Sequence, residues 1–393
     1  MRGSSRWPSA LLALCSLLLS LALLEFGFRL ARFDFEFKAR AFGKVPIFYR
    51  KPELPTGEAF YRRAGPALWE GRVITPMLEV FGVPARQRPA EAAVSVSYDE
   101  RGFRNPPDLL DWEIVVVGDS MTELGQLAYR DLFTTRLAAR LGVPVKNLGV
   151  SWTGPFSHAH YLREYGLAPG ARHAVLAFFE GNDVQDLIRE ALDLEEAARR
   201  RRAGAAAPRR SRLERLEPQS SMLTAACRWG RATARAPRAA SIPVVNATYR
   251  RGEERIPITV QYTPPGAAAF AGPARALLAR ALSEWAQAAG DAGMRPWLLY
   301  LPSKRRVLHG RLAFQPGMPE ALVDWAPGGF RGLVRRLARQ RGIGFVDATG
   351  ALRREAEAGR LPFNAVWDSH LNRDGARVVA DVLADALAGR GAR

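Results

Sequence analysis

Residues 113–122 read Glu-Ile-Val-Val-Val-Gly-Asp-Ser-Met-Thr. A short apolar, β-branched run that stops at a glycine and opens into helix-forming residues has the pattern of a buried parallel strand handing over to a helix. The same unit recurs along the chain. A helix is predicted over Ser120–Leu141, a strand over Val143–Leu148, a helix near His158–Tyr165, a strand over Ala174–Phe179 and a further helix from Asp183. After an interruption come a helix over Gly272–Ala289, a strand over Pro296–Leu301, a helix over Phe330–Gln340, a strand over Gly344–Val346 and a last helix over Asp374–Ala388. Apolar strands alternating with amphipathic helices predict an α/β domain whose parallel sheet is covered on both faces.

The interruption, 188–260, contains Arg199-Arg200-Arg201-Arg202 and Arg209-Arg210-Ser211-Arg212. Charge blocks are usually solvated, so it reads as a solvated basic insertion, part helical and part disordered, that adds neither a strand nor a catalytic residue. Contact with anionic lipid or polysaccharide is the alternative. Residues 33–110 show no clear period and end in Asp99-Glu100-Arg101-Gly102-Phe103-Arg104, a turn before the first strand. The predicted division is an anchor at 1–32, a juxtamembrane region at 33–110, and a domain at 111–393 that holds the insertion.

The anchor is read from Trp7–Phe28, where Glu25 is the one charged residue. As a helix this stretch of roughly 22 residues would be ~33 Å long, enough to cross a bilayer core. Arg2 and Arg6 precede it as in an export signal, and Leu23 and Leu24 carry the apolar run past the small-residue cleavage candidate at Ser20-Leu21-Ala22. An uncleaved transmembrane helix is therefore expected, with a cleaved signal peptide as the alternative. The export-like character places the domain outside the inner (cytoplasmic) membrane, although Arg29, Arg32, Lys38 and Arg40 after the span oppose that orientation.

Composition narrows the function classes. The net charge is +18, but only five of the 57 basic residues are lysine, which marks an arginine bias of the whole chain. No zinc-finger spacing, aromatic RNA-binding box or P-loop accompanies it, so nucleic acid is not an expected partner. Two cysteines, Cys15 and Cys227, exclude a disulfide scaffold and a cysteine-based zinc site. His158 and His160 lack a third ligand at matching spacing.

Ligands in open α/β sheets sit beyond the carboxyl ends of the strands. The first strand ends in Gly118-Asp119-Ser120-Met121-Thr122, where Ser120 is either a nucleophile exposed at a strand-to-helix turn or a bystander to an Asp119 cap. The second leads into Asn147-Leu148-Gly149-Val150-Ser151-Trp152-Thr153-Gly154-Pro155. The third ends in Glu180-Gly181-Asn182-Asp183, where Asn182 is an oxyanion donor or a helix cap. After the fifth comes Trp367-Asp368-Ser369-His370-Leu371-Asn372-Arg373-Asp374-Gly375; two residues apart in extended backbone, Asp368 could hold the His370 ring with its other nitrogen towards a serine.

Taken together, these four blocks resemble the SGNH/GDSL hydrolase superfamily over about 111–187 and 290–390. The leading apolar segment followed by Asp-x-x-Gly-Phe-Arg is similar to its membrane-anchored bacterial branch. The resemblance implies a flavodoxin-like three-layer α/β/α fold with a five-stranded parallel sheet, Ser120 as nucleophile, His370 as base and Asp368 as its orienter. It also implies an oxyanion hole from the Ser120 N–H, a second-block N–H and Asn182. Trp152 stands where the second-block glycine is usual, so Gly154, or the Trp152 backbone in its place, is the expected donor. The single residue between Asp368 and His370 is similar to the alginate-type polysaccharide O-acetyltransferases. The expected function is cofactor-free, metal-free ester hydrolysis of an acylated carbohydrate or lipid. Acyl transfer to a sugar hydroxyl and a catalytically silent binding protein are the alternatives.

Overall fold

The structure is a computed structural model and describes residues 7–31, 53–56, 60–63, 65–72, 93–202, 245–262, 264, 272–365 and 369–389. After α1 (Trp7–Ala31) come two antiparallel pairs, β1 (Glu53–Thr56) with β2 (Phe60–Arg63) and β3 (Ala67–Arg72) with β4 (Ala93–Tyr98). Then follow β5 (Ile114–Gly118), α2 (Ser120–Glu123), α3 (Phe133–Leu141), β6 (Val145–Gly149), α4 (Pro155–Tyr165), β7 (His173–Phe179) and α5 (Asp183–Arg202). The next stretch gives β8 (Ala247–Arg251), β9 (Glu254–Ile258), α6 (Pro273–Asp291), β10 (Arg295–Leu301), α7 (Lys304–Val307), β11 (Leu312–Phe314) and α8 (Glu320–Val323). The chain closes with α9 (Phe330–Arg339), β12 (Gly344–Asp347), α10 (Thr349–Glu357) and α11 (Arg373–Leu387).

The predicted strands form one parallel sheet in the order β12-β10-β7-β5-β6. Counted along the chain this is 2-1-3-4-5 from the β6 edge, the flavodoxin-like arrangement, and the order reverses between β5 and β7. Successive residues of β5 go to opposite faces. Val116 packs with Val175, Leu299, α3, α10 and α11, while Val115 and Val117 pack with Leu176, Leu298, α4, α6 and α9. Two apolar layers of this kind make a three-layer α/β/α domain.

The single helix predicted over Ser120–Leu141 is broken. It stops after one turn at Leu124 (φ 40°) and resumes at α3 after a 3-10 turn at Tyr129–Asp131. The cause lies upstream. Arg104, with no exposed surface, donates from Nη1 to the carbonyls of Glu123 (3.2 Å) and Leu124 (2.9 Å) and from Nη2 to that of Leu127 (2.8 Å). A guanidinium here satisfies the carbonyls that a continuing helix would otherwise bond. Burial lowers the Arg104 pKa to about 10, partly opposed by Glu123. Arg104→Ala leaves those carbonyls buried without their cationic donor, and should cost about 3–5 kcal/mol in a urea titration.

Among the described residues of the expected juxtamembrane region, Arg63 and 98–105 contact the domain. Asp99 Oδ1 accepts from the N–H groups of Arg101 and Phe103 (both 2.9 Å), and Oδ2 accepts from Asn105 Nδ2 (2.9 Å) and Lys146 Nζ (3.2 Å). Asn105 pairs with both backbone groups of Asn147 and so covers part of the β6 edge. The turn needs glycine at 102: its φ is 82°, and a Cβ there would stand 1.8 Å from the Arg63 carbonyl oxygen.

The insertion is part helical but, against expectation, also adds strands. Its first part is the continuous α5, on which Arg199 and Arg200 pair with Glu196. Its last part supplies β8 and β9, which join β11 in an antiparallel sheet, with Ala247, Tyr249 and Ile258 fully buried. Apolar alternation in Ala247–Arg251, too brief to register beside the arginine blocks, is what places these strands. Arg209 to Arg212 lie outside the described residues.

Among the described residues no helix is long and apolar enough to cross a membrane. Helix α1 is 25 residues long, with side chains described over 11–27. Its leucines there, including Leu11, Leu12 and Leu23, are exposed.

Candidate active site

The site lies where the strand order reverses. Ser120 opens α2 directly after β5, Trp152 and Gly154 follow β6, Asn182 follows β7, and His370 stands before α11, so all sit at the carboxyl edge of the sheet. Close approach is built into the edge: a Cβ on Gly149 would stand 2.3 Å from the Glu123 nitrogen, so only glycine lets β6 pass beneath the serine turn.

Asp119 is the N-cap of α2; its Oδ1 accepts from the Met121 N–H at 2.8 Å, and Ser120 Oγ lies 3.4 Å from its Oδ2. Both readings of this turn therefore coexist, since Asp119 caps the helix while Ser120 remains partly exposed. The Ser120 N–H makes no hydrogen bond among the described residues.

Asn182 Nδ2 donates to Asp186 Oδ2 at 2.5 Å, and its amide also lies beside Asp119, holding that carboxyl down. Asp186 pairs with Arg189 (2.7 Å), whose Nη2 donates to the Trp152 carbonyl at 2.6 Å. His370 is close enough to Asp119 for its charge to lower the Asp119 pKa. Gln126 Nε2, beyond the serine turn, reaches the Leu371 carbonyl at 3.3 Å. These contacts join all four sequence blocks. Asp368 lies outside the described residues.

The loop that carries His370 is fastened from several sides. Asn364 N–H donates to the His370 carbonyl (3.0 Å), and Asn372 caps α11 through the N–H groups of Asp374 and Gly375. The tail of the insertion contributes here, against expectation: Thr259 N–H donates to the Ala365 carbonyl at 2.8 Å, and Gln261 N–H to Ser369 Oγ at 3.4 Å. The buried Lys304 Nζ donates to the carbonyls of Thr259 (2.8 Å) and Asn364 (2.5 Å).

In the second block the two candidate donors differ in their partners. The Gly154 N–H, expected as an oxyanion donor, donates to Glu190 Oε1 at 2.6 Å. Trp152 has φ 68°, its N–H has no acceptor among the described residues, and its side chain is 66% exposed. A tryptophan here occupies the left-handed backbone that glycine would take without strain.

Sequence reasoning missed Glu123, which is fully buried one turn after Ser120. Its carboxylate accepts from Tyr98 Oη (2.6 Å), Arg63 Nη2 (3.3 Å), Ser151 N (2.6 Å) and Ser151 Oγ (2.5 Å). The available signal was a charged residue on the buried side of a one-turn helix. Elsewhere, burial lowers the His158 pKa to about 3; its Nε2 meets Thr153 Oγ1 at 3.2 Å, which makes it a neutral core group. Among the described residues no cluster of three or more His, Cys, Asp or Glu could hold a metal ion.

Burial shapes the charge beneath the serine. It raises the Asp119 pKa to about 6, and it pushes Asp183 well above the usual carboxylate range, with Asp119 and Asp186 adding to the effect. An acid whose pKa rises on folding gives up stability as pH increases through that interval. Asp119→Asn retains a capping side chain but cannot ionise. Its stability relative to the native protein should therefore increase as pH goes from about 4 to about 7, read by urea denaturation across that range. A constant difference would show that Asp119 does not titrate there.

No model of a known protein family matches the chain, and no curated protein matches it. Solved structures do. A lipolytic protein of the G-D-S-L family from Veillonella parvula is 13% identical, with 70% of this chain and 96% of that chain covered and a TM-score of 0.35. An α/β hydrolase from the metagenome of Lake Arreo, Spain, is 15% identical over 72% of this chain and 97% of that one, with a TM-score of 0.34. The aryl esterase of M. smegmatis is 12% identical over 70% and 99%, with a TM-score of 0.32. Identities and scores at this level leave the chemistry to be read from this chain's own residues.

Proposed function

We propose that the protein is a serine ester hydrolase of the SGNH/GDSL type. One observation carries the reading. At the reversal of strand order, Ser120 shares its surroundings with two backbone N–H groups that lack acceptors, its own and that of Trp152, and with the amide of Asn182. Ser120 Oγ attacks the ester carbonyl while His370 takes its proton. The carbonyl oxygen, now an anion, is held by the Ser120 and Trp152 N–H groups and by Asn182 Nδ2, which turns one hydrogen to it from the Asp119 and Asp186 carboxylates. The tetrahedral species collapses to an acyl-serine as His370 returns the proton to the departing alcohol. Water, deprotonated by His370, then releases the acid. Asp368 is assigned the orientation of the His370 ring.

The test is the time course with p-nitrophenyl acetate in stopped flow. An acyl-enzyme gives a burst of p-nitrophenol stoichiometric with protein before the steady state; a linear trace with no turnover would leave the binding-protein reading ahead. The one-residue spacing of Asp368 and His370 favours transfer as the second reading, and acetylated product on an added oligosaccharide would establish it. The natural substrate is assigned to acylated carbohydrates or lipids. The apolar sequence Trp7–Phe28 is the ground for assigning a tether to the inner membrane with the domain outside. Retention in the membrane pellet after a high-salt wash checks this, and recovery of a soluble chain processed near Ala22 would contradict it.

A further inference from the structure

The peptide unit joining Ser151 to Trp152 is planar and trans, so its C=O and N–H point in opposite directions. Whatever holds the Ser151 carbonyl therefore aims the Trp152 N–H. That holder is Tyr61 on β2: its hydroxyl is shared between the carbonyls of Ser151 (2.9 Å) and Trp152 (3.0 Å). Tyr61 is itself fixed, because Tyr161 Oη on α4 donates to its carbonyl. The preceding peptide is fastened by Glu123, which takes the Ser151 N–H, and Glu123 in turn takes Arg63 from the same strand β2. A bulky residue at φ 68° persists only where its surroundings over-determine it. Here those surroundings come from a strand that lies outside the parallel sheet and upstream of it in sequence.

We infer that Tyr61 is a positioning residue: the β1–β2 pair reaches into the site and sets the direction of the Trp152 N–H towards the oxyanion. The inference rests on the hydrolase reading, in which that N–H is a donor. The segment between the apolar α1 and the catalytic sheet is then a working part of the enzyme.

The test uses the full-length chain in detergent and the variant Tyr61→Phe, which keeps the ring and removes the hydroxyl. With p-nitrophenyl acetate, kcat should fall ~10–100-fold with KM little changed, the scale of a misdirected rather than deleted donor. The Ki of phenylboronic acid, whose adduct with serine is tetrahedral, should rise by the same factor as kcat/KM falls. Arg189→Met removes a donor to the next peptide, that of the Trp152 carbonyl, and should cost less than Tyr61→Phe. Native-like kcat and boronate affinity in Tyr61→Phe would overturn the inference while leaving the triad standing. So would a loss confined to KM or to Tm. A wild-type protein with neither turnover nor boronate inhibition would instead remove the hydrolase reading on which the inference depends.

Discussion

Ser120→Ala should abolish measurable ester turnover, a loss of about 10⁴–10⁶-fold in kcat, because the other groups of the site have no nucleophile to serve. The fold should be unaffected. The Ser120 hydroxyl makes one long contact, 3.4 Å to Asp119 Oδ2, while the turn is held by the Asp119 cap and by Arg104 on the carbonyls beyond it. Urea midpoints of the variant and the native protein should therefore coincide. Retained turnover would show that Ser120 is the bystander to a helix cap.

Asn182→Ala has the next largest expected effect, about 100–1000-fold in kcat, the usual consequence of losing one oxyanion donor. The residue has a second role that fixes how stability should respond. Its amide supports the ionised forms of Asp186 and Asp119, holding both pKa values down against burial. Support for an ionised carboxylate is present above its pKa and lost as pH falls through it. The stability cost of Asn182→Ala should thus be greater at pH 8 than at pH 5, whereas the kinetic loss should persist wherever the enzyme turns over. Unchanged kcat with a pH-dependent stability cost would assign Asn182 to the carboxylate cluster alone.

The parallel sheet was legible because burial on both faces writes itself as unbroken apolar runs; β5, β7 and β10 begin within a residue of their expected positions. Three of the four polar blocks were legible because each sits directly downstream of such a run; the fourth lies beyond β12 and α10 and was marked by its own Asp-x-His-x-Asn pattern. What was hidden depends on partners distant in sequence. Nothing near Ser120 announces that Arg104 will end its helix after one turn, or that Glu123 will be tied to Tyr98, Arg63 and Ser151. Strands β8 and β9 are short, half-polar and adjacent to arginine blocks, so composition outweighed pattern. Gly154 and Trp152 could not be told apart by type, since the decision lies in the Glu190 carboxylate, which comes from α5 and takes the Gly154 N–H.

The most direct measurement is to treat the full-length protein with a fluorophosphonate and locate the adduct by peptide mass spectrometry. An activated serine should carry one phosphonyl group, on Ser120, with labelling blocked by phenylboronic acid and absent in Ser120→Ala. Labelling at another serine, or none under conditions that modify a control serine esterase, would contradict the assignment of Ser120 as the nucleophile.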